Sequence, residues 1–326
     1  MIAARYYNNK DIRLEELPVP VIGPGEILVK TRASGICGTD VMEWYRVKKG
    51  PRILGHEISG DIVESKSPAY KAGQRVFVSH HVPCDDCKYC RAGHHTACDT
   101  LHQGNYDPGG YSEFIRVPAI NVERGVYVLP DHVSYAEGSM IEPLACGVRG
   151  LRLIDVRAGQ TVLILGCGVS GLMNIMLAKL KGARVIATDI DAYRLQKARE
   201  AGADEVLQAS APIDAPADKV IVCTGAFSAV EQAFRCVDKK GTILLFAIPN
   251  RDIPLPIPDF WRKELTVTSS YGAAPDDLAE SLALISSGKV NVRTLITHAL
   301  PLKDIQEAFN IVVGAKGSLK VILEIK

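Results

Sequence analysis

The sequence has almost no excess of charge of either sign, and it lacks a hydrophobic run of membrane-helix length. Its 326 residues include 38 Lys and Arg against 37 Asp and Glu, a formal net charge of +1 at pH 7. A nucleic-acid or acidic-membrane surface needs a basic excess, so neither partner is expected. Apolar runs such as residues 161–165 and 220–223 are far shorter than the roughly 20 residues that span a bilayer.

The amino terminus also lacks an export leader. Met1 runs directly into Ile2 and Ala3, with no charged segment followed by an apolar stretch and a cleavage site. A soluble chain in the cytoplasm is therefore expected. The nine cysteines of such a chain more often serve a metal or catalysis than disulfides. Four of them fall within residues 84–98, and the other five are scattered, at Cys37, Cys146, Cys167, Cys223 and Cys236.

The first half of the chain has the pattern of short strands separated by turns. Alternating or β-branched runs bounded by turn residues occur at residues 27–32, 58–64, 75–82 and 112–117. This spacing predicts a compact β unit of the barrel or sandwich type.

After about residue 146 the pattern changes to strands that alternate with helices. Strands are predicted at residues 161–165, 185–189, 220–223 and 242–246. Helices are predicted between them at residues 169–181, 192–201 and 229–237. The carboxyl-terminal part adds two helices and a strand, at residues 278–286, 302–312 and 319–325. Strand–helix alternation predicts an α/β domain with a doubly wound parallel sheet.

A glycine-rich segment at residues 166–171, Gly-Cys-Gly-Val-Ser-Gly, matches the G-x-G-x-x-G pattern of dinucleotide-binding turns. It follows a predicted strand and opens a predicted helix, whose free N–H groups favour a pyrophosphate. Asp189 ends the next strand, where a carboxylate accepts ribose hydroxyls and repels a 2′-phosphate, so NAD is favoured over NADP. The residues predicted to bind the cofactor are Gly166, Gly168, Val169, Gly171, Asp189 and Arg194.

Two alternatives accompany this prediction. The glycines also fit a structural turn in another nucleotide-binding α/β domain, although strand, glycines, helix and acid are all in register. Arg194 fits an exposed position on a helix surface as well as a position beside the adenine.

Four cysteines, Cys84, Cys87, Cys90 and Cys98, have the spacing of a closed metal site. Four thiolates complete a tetrahedral shell around zinc and leave no open position, so the predicted site is structural. Two disulfides are the alternative, which a cytoplasmic chain makes unfavourable, and an iron–sulfur cluster is the other. The histidines that flank this segment are not needed as ligands.

Taken together, five motifs resemble those of the zinc-containing medium-chain dehydrogenase/reductase superfamily, and in particular its sorbitol (polyol) and threonine dehydrogenase branch. In chain order they are Gly-Ile-Cys-Gly-Thr-Asp at 35–40, Gly-His-Glu at 55–57, the four cysteines at 84–98, Glu-Pro-Leu at 142–144 and the glycine-rich turn at 166–171. The resemblance implies a β-rich GroES-like catalytic domain, a Rossmann domain, and a return of the chain to the catalytic domain. The implied boundaries are about 1–146, 147–272 and 273–326.

The resemblance also implies a catalytic zinc held by Cys37, His56 and Glu142, with Glu57 as an exchangeable ligand or a partner of the metal-bound water. Three protein ligands leave a position open for a substrate oxygen. Thr39 would take up the alcohol proton, and Asp40 would orient His56 through its second ring nitrogen. The residues that the resemblance implies for catalysis are therefore Thr39, Asp40 and Glu57.

An alternative ligand and two differences from the family pattern bear on these roles. Cys146, four residues after Glu142, is an alternative third ligand, because some relatives use a cysteine for that purpose. Many relatives carry a proton-relaying histidine five residues after the zinc cysteine, and here that position is Met42. The segment between Cys37 and His56 is also shorter than usual, so no relative's substrate transfers directly.

The function expected from these features is zinc-dependent, NAD-linked oxidation of a secondary hydroxyl in a polyol, cyclitol, sugar or hydroxy amino acid. One alternative is the same chemistry on simple secondary alcohols or aldehydes, and another is a non-catalytic protein that binds NAD and zinc. The expected cofactors are NAD and two zinc ions per chain, and the partner is a small alcohol or ketone. The resemblance also implies a homo-tetramer or homo-dimer.

Overall fold

The computed structural model describes residues 1–213, 216–249 and 251–326. Its internal contacts divide the chain into two compact units. The first unit comprises Met1–Pro143 and Ala273–Lys326, and the second comprises Leu144–Gly272. Every helix in the described part of the chain is too short or too polar to cross a bilayer.

The described residues form sixteen β-strands, numbered here in chain order. The strands are β1 Ile2–Asn8, β2 Asp11–Glu16, β3 Ile27–Gly35, β4 Arg52–Ile53, β5 Glu57–Ser65, β6 Arg75–Ser79, β7 Phe114–Val117, β8 Val126–Val128, β9 Thr161–Leu165, β10 Arg184–Asp189, β11 Glu205–Gln208, β12 Ala217–Val222, β13 Val237–Leu245, β14 Thr266–Ser269, β15 Ile296–Pro301 and β16 Lys320–Glu324.

The same residues form twelve α-helices and four short 3₁₀ helices. The α-helices are α1 Glu43–Arg46, α2 Lys88–Arg91, α3 Asp99–Gln103, α4 Ala119–Gly125, α5 Tyr135–Gly138, α6 Ile141–Leu153, α7 Val169–Leu180, α8 Ala192–Glu200, α9 Phe227–Cys236, α10 Ile257–Lys263, α11 Pro275–Ser286 and α12 Ile305–Gly314. The 3₁₀ helices are Val47–Lys49, His95–Ala97, Val292–Leu295 and Leu302–Asp304.

The first unit is built on a seven-stranded sheet. Its strands follow the order β15-β16-β3-β5-β6-β8, and β7 pairs with β3 beside this path. All of these pairs are antiparallel except β15 with β16. A second, three-stranded sheet has the order β2-β1-β4. The carboxyl-terminal strand β16 pairs with β3, so the end of the chain is part of the sheet that carries Cys37.

The second unit contains a six-stranded sheet in the order β11-β10-β9-β12-β13-β14, in which every neighbouring pair is parallel. If β9, the first of these strands in the sequence, is counted as strand 1 and β14 as strand 6, the order is 3-2-1-4-5-6. This is the arrangement of doubly wound dinucleotide-binding domains. The order reverses between β10 and β12, which flank β9. The fold class expected from the sequence is confirmed by this sheet and by the β-rich first unit.

Most of the strands and helices predicted from the sequence are present within a few residues of their predicted ends. The strand predicted at residues 75–82 is too long, because β6 ends at Ser79 and the Ser79 hydroxyl donates to the carbonyl of His81 in a turn. The helix predicted at 229–237 ends at Cys236, and Val237 instead begins β13. The hairpin of β1 and β2 was not anticipated, since no tight-turn signal marks it.

Candidate metal centres and nucleotide site

The four-cysteine segment forms a compact cluster in the first unit. It lies between β6 and β7, in a region of short helices with little regular structure. The Sγ atoms of Cys84, Cys87, Cys90 and Cys98 all lie within 4.8 Å of one another. Individual Sγ–Sγ distances are 3.5 Å (Cys84–Cys98), 3.6 Å (Cys87–Cys90) and 4.0 Å (Cys84–Cys90). Tetrahedral zinc with Zn–S bonds of about 2.3 Å places its sulfurs about 3.8 Å apart, so this donor set fits zinc.

Backbone N–H groups point at two of these sulfurs. Cys87 N–H donates to the Cys84 sulfur at 3.3 Å, and Cys84 N–H donates to the Cys98 sulfur at 3.4 Å. Burial raises the pKa of Cys98, but hydrogen bonds from the Cys84 and Leu101 backbone and from the Cys84 and Cys90 side chains together outweigh burial and lower that pKa to about 6. Donors of this kind stabilise the thiolate, which is the metal-binding form of cysteine.

A second cluster joins residues that are distant in the sequence. Cys37 follows the end of β3, and His56 immediately precedes Glu57, the first residue of β5. Gly35 pairs with Glu57 in the β3–β5 register, so sheet pairing brings the two segments together. One ligand atom from each of Cys37, His56 and Glu57 lies within 4.8 Å of the other two. Thiolate, imidazole and carboxylate are all zinc donors, so this set also fits zinc.

The turn after Cys37 is held by a network of hydrogen bonds. Thr39 donates its hydroxyl to the Cys37 sulfur at 3.3 Å. Arg46 donates to the Thr39 carbonyl (2.9 Å), to Thr39 Oγ1 (3.0 Å) and to Asp40 Oδ1 (2.8 Å). The Tyr111 hydroxyl donates to Asp40 Oδ2 at 2.6 Å. The fully buried Asp40 carboxylate is therefore well satisfied, and it lies 3.6 Å from His56 Nδ1.

The Glu57 carboxylate forms a buried ion pair with Lys320 on β16. The Lys320 ammonium lies 2.8 Å from Oε1 and 2.6 Å from Oε2 of Glu57, and both side chains are almost fully excluded from solvent. Lys320 also donates to the carbonyl of Ile36, next to Cys37. Gly35 makes room for this pair, because a Cβ there would lie 2.1 Å from Glu57 Oε2.

Anionic neighbours dominate the electrostatics around His56. Burial alone lowers the pKa of His56, but Asp40, Cys37 and Glu142 outweigh it and raise that pKa well above its usual value. Groups that stabilise an imidazolium equally favour a metal cation at the same place. The negative charge around the cluster therefore favours a bound cation, as its thiolate, imidazole and carboxylate donors also do.

The glycine-rich turn of the second unit has the geometry of a dinucleotide-binding fingerprint. Gly166 has a φ of +95°, and a Cβ on Gly171 would lie 1.9 Å from the Gly166 carbonyl oxygen, so neither position tolerates another residue. A Cβ on Gly168 would meet nothing within 4 Å, which leaves its side open for a phosphate. The buried Asp189 carboxylate accepts the N–H of Cys167 at 2.7 Å and that of Asp191 at 2.9 Å.

Sequence profiles of two families match this chain. "Alcohol dehydrogenase GroES-like domain" matches residues 23–131, and "Zinc-binding dehydrogenase" matches residues 170–287. Sorbitol dehydrogenase of Bos taurus is 32% identical over 338 residues, which cover 96% of this chain and 93% of that protein. This chain belongs to the zinc-dependent medium-chain dehydrogenase family.

Solved structures of other proteins agree with this assignment. The 2R,3R-butanediol dehydrogenase of Bacillus subtilis has a TM-score of 0.86 at 27% identity, covering 99% of both chains. A zinc-binding dehydrogenase from Sinorhizobium meliloti, solved with NADP bound, has a TM-score of 0.86 at 28% identity, covering 99% of this chain and 98% of its own. The family is one of zinc- and nicotinamide-dependent enzymes, and both metal-donor sets of this dehydrogenase fit zinc.

The remaining predicted residues of the dehydrogenase lie as follows. Glu142 is buried near the amino end of α6, and it is close enough to His56 to raise the pKa of that histidine. It does not belong to the group of Cys37, His56 and Glu57, whose ligand atoms lie within 4.8 Å of one another. Cys146 lies one turn later in α6 and belongs to the second unit. Val169 is the first residue of α7. Burial raises the pKa of the Cys167 thiol to about 12, and Arg194, in the first turn of α8, is close enough for its charge to oppose that rise.

Sequence reasoning missed four residues that contact the dispersed cluster. Arg46 and Tyr111 hold Asp40, and Lys320 holds Glu57. The ring of His80, considered unnecessary as a ligand, lies 4.9 Å from the ring of His56. Only Arg46 had a local signal, since it closely follows the zinc-cysteine motif. Lys320 reaches the site through the pairing of β16 with β3, and Tyr111 reaches it from the loop before β7, so no sequence motif marks either residue.

Proposed function

We propose that this dehydrogenase transfers a hydride reversibly from a secondary hydroxyl of a polyol, cyclitol, sugar or hydroxy amino acid to NAD. The observation that carries the proposal is the Cys37–His56–Glu57 cluster, an open zinc-type donor set in a chain that also has a dinucleotide fingerprint. The names of two relatives, sorbitol dehydrogenase and butanediol dehydrogenase, support a substrate with more than one hydroxyl.

In this proposal Cys37, His56 and Glu142 hold the catalytic zinc, and Glu57 is an exchangeable carboxylate beside them. The influence of Glu142 on His56 supports its assignment. The pairing of Glu57 with Lys320 supports a secondary role for Glu57, because part of its charge is already balanced. Bound zinc supplies a Lewis acid that polarises the substrate hydroxyl and lowers its pKa. A structural zinc is assigned to Cys84, Cys87, Cys90 and Cys98.

Residues of the turn after Cys37 transfer the proton of the substrate hydroxyl in this proposal. Thr39 Oγ1 lies beside the Cys37 sulfur, so its hydroxyl is positioned to accept the proton of a hydroxyl bound at the cluster while it releases its own proton outward to water. Arg46 donates to that same oxygen and fixes its orientation, and a guanidinium itself holds its protons at any physiological pH. Asp40, held by Arg46 and Tyr111, faces His56 Nδ1 and orients the imidazole.

The fingerprint residues bind NAD in this proposal. Gly166 forms the tight turn, the open side of Gly168 takes the pyrophosphate, and the amino end of α7 at Val169 offers N–H groups to it. Gly171 lets the helix pack closely on the turn. Asp189 accepts the ribose hydroxyls and disfavours a 2′-phosphate, and Arg194 lies beside this end of the site.

The test is NADH formation by zinc-replete protein with polyols, cyclitols, threonine and simple secondary alcohols as substrates. We expect turnover of compounds with several hydroxyls, and loss of that turnover in Glu142→Ala with the fold retained. Turnover of simple alcohols alone would replace the proposed substrate class. A fully active Glu142→Ala enzyme would remove Glu142 from the ligand set.

We also propose that the protein assembles as a homo-tetramer or homo-dimer through its second unit. Strand β14 is the outer strand of the described six-stranded sheet, and the neighbouring helix α10 exposes Ile257 (60%) and Trp261 (74%). Exposed apolar side chains beside a sheet edge are typical of an interface. Light scattering should show Trp261→Glu with a smaller mass than the parent, whereas Leu180→Glu, an exposed apolar residue on α7, keeps the parent mass.

We further propose that the protein acts in the cytoplasm. The four cysteines whose sulfurs lie together at the structural cluster are thiols rather than disulfides. Such a set persists in a reducing compartment and is prone to disulfide formation elsewhere. Cell fractionation should recover the active, zinc-loaded protein with cytoplasmic markers, and recovery in an oxidising compartment would contradict this.

A further inference from the structure

A basic segment follows the zinc-cysteine motif. Arg46, Lys48, Lys49 and Arg52 fall within seven residues that contain no acid. The segment spans the end of α1, the 3₁₀ helix Val47–Lys49 and strand β4, all in the first unit. The nearest preceding acid, Glu43, accepts the N–H of Asn9. Its carboxylate is thus bonded to the turn between β1 and β2 rather than to these cations.

Arg46 connects this segment to the catalytic turn. Its Nη2 atom donates to Thr39 Oγ1 at 3.0 Å, and Thr39 in turn donates to the Cys37 sulfur at 3.3 Å. The segment therefore begins two hydrogen bonds away from a proposed zinc ligand. The charge of Arg46 itself is balanced by the buried Asp40 carboxylate.

Lys49 contacts the hydroxyl of Tyr45, and Arg52 is close enough for its charge to act on that hydroxyl. The Lys49 ammonium donates to the Tyr45 hydroxyl at 2.8 Å and lies 4.3 Å from the centre of its ring. Arg52 donates to the carbonyl of Lys49. The hydrogen bond from Lys49 is the main cause that lowers the pKa of Tyr45, and the charges of Arg46 and Arg52 add to it. In the described part of the chain, neither Lys49 nor Arg52 forms an ion pair with a carboxylate.

Two of these cations, Lys49 and Arg46, are close enough to His81 for their charges to act on its pKa. Burial is the main cause that lowers the pKa of His81 to about 3, and the positive charges of His56, Lys49 and Arg46 contribute to it. His81 stacks on His80, with ring centres 3.7 Å apart, and His80 contacts His56. Cations that converge without a counter-charge repel one another, and a bound anion removes that cost.

We propose that Lys49, Arg52 and the Tyr45 hydroxyl bind an anionic group of the substrate, so that the enzyme acts on an acidic polyol rather than a neutral one. This inference rests on the proposed function, because it assigns a substrate class to the same catalytic centre. Two cationic side chains and a hydroxyl can donate charged hydrogen bonds to a carboxylate or a phosphate. A sugar acid or a polyol phosphate has such a group a few bonds from the reacting hydroxyl. Lys49 and Arg52 are exposed, so they are available to such a group.

The test compares matched substrates with the zinc-loaded enzyme and NAD. Glucitol, gluconate and glucitol 6-phosphate provide a neutral, a carboxylate and a phosphate arm. We expect kcat/KM for at least one anionic substrate to exceed that for glucitol by about 10-fold, the gain expected from a charged hydrogen bond. The anionic substrate with the larger gain in kcat/KM over glucitol shows whether the site prefers a carboxylate or a phosphate.

Three variants locate the effect. Lys49→Gln and Arg52→Gln should each remove most of the anionic preference, mainly through KM, and leave kcat/KM for glucitol within about 2-fold. Lys48→Gln is the matched control, because Lys48 is an exposed neighbour whose ammonium lies 5.9 Å from the Trp44 ring instead. The proposal is overturned if kcat/KM of the parent enzyme for glucitol equals or exceeds kcat/KM for both anionic substrates. So does an anionic preference that survives both Lys49→Gln and Arg52→Gln.

Absence of turnover on every substrate would count against the proposed function, and a binding measurement then decides this inference separately. Calorimetry at low salt should show inorganic phosphate binding to the parent protein and to Lys48→Gln, with binding weakened about 10-fold in Lys49→Gln. A parent protein that does not bind phosphate, or equal weakening by Lys48→Gln, overturns the proposed site.

Discussion

The two candidate metal sites lie in the same unit of the protein but are assembled in opposite ways. Four cysteines come from fifteen consecutive residues, 84–98, and meet through short turns. The dispersed site draws Cys37 from the end of β3 and His56–Glu57 from the start of β5, and sheet register decides their distance. A local site depends on its own loop, whereas a dispersed site depends on the whole sheet.

The surroundings of the two sites differ in the same way. The sulfurs of the cysteine cluster are supported by N–H groups from within their own segment. The dispersed site is supported by Tyr111 and Lys320, each from a remote part of the chain. A closed local site stabilises a loop, and an open site built on strands keeps reactive groups in fixed positions.

The largest expected effect comes from a conservative change at the dispersed site. Cys37→Ser should lower kcat/KM at least about 1,000-fold, because it removes a zinc thiolate where the hydroxyl is polarised. The thermal midpoint should stay within about 3 °C of the parent, since strands β3 and β5 remain paired. Steady-state kinetics with metal analysis will check both, and an active Cys37→Ser enzyme with two zinc ions per chain would contradict the assignment.

The same substitution at the local site should have the opposite profile. Cys90→Ser breaks the four-sulfur shell and should lower the thermal midpoint by about 10 °C, since bound structural metal contributes folding free energy. Turnover per zinc-loaded molecule should remain within about 3-fold, because the catalytic turn is untouched. Calorimetry and kinetics on one preparation measure both. Loss of turnover without loss of stability would reverse the roles of the two sites.

A smaller effect is expected from the buried ion pair that supports the dispersed site. Lys320→Met leaves the Glu57 carboxylate buried without its counter-ion, which should reduce the free energy of unfolding by about 3 kcal/mol. The double variant Glu57→Gln, Lys320→Met should recover most of this loss, because no unpaired charge remains. Denaturant unfolding of the single and double variants gives the comparison. An unstable double variant would mean that packing rather than charge is responsible.

The smallest effect concerns the role of Glu57 in catalysis. In the double variant Glu57→Gln, Lys320→Met, kcat/KM should fall about 10-fold while two zinc ions per chain are retained, since Glu57 supports the metal without being a permanent ligand. Metal analysis after dialysis provides the check. Loss of one zinc ion from this variant, together with full zinc in Glu142→Ala, would exchange the roles of Glu57 and Glu142.

Sequence patterns predicted the local features well. The α/β alternation after residue 146 matches the parallel sheet, and the G-x-G-x-x-G turn lies between β9 and α7 as expected. These features depend on neighbouring residues, so spacing and periodicity contain the needed information. The hairpin of β1 and β2 was missed although its strands are adjacent in the sequence, because its turn at Asn9 and Lys10 lacks the glycine that marks most tight hairpin turns.

The sequence by itself determined the fold class, the four-cysteine cluster and the dinucleotide fingerprint, because each is written in a short segment with its own geometry. Only the tertiary structure decided which side chains surround the dispersed site. Lys320 reaches Glu57 because β16 pairs with β3, and the Arg46 side chain reaches Thr39 and Asp40 from the end of helix α1. Contacts of this kind depend on strand register and side-chain direction, which no local pattern specifies.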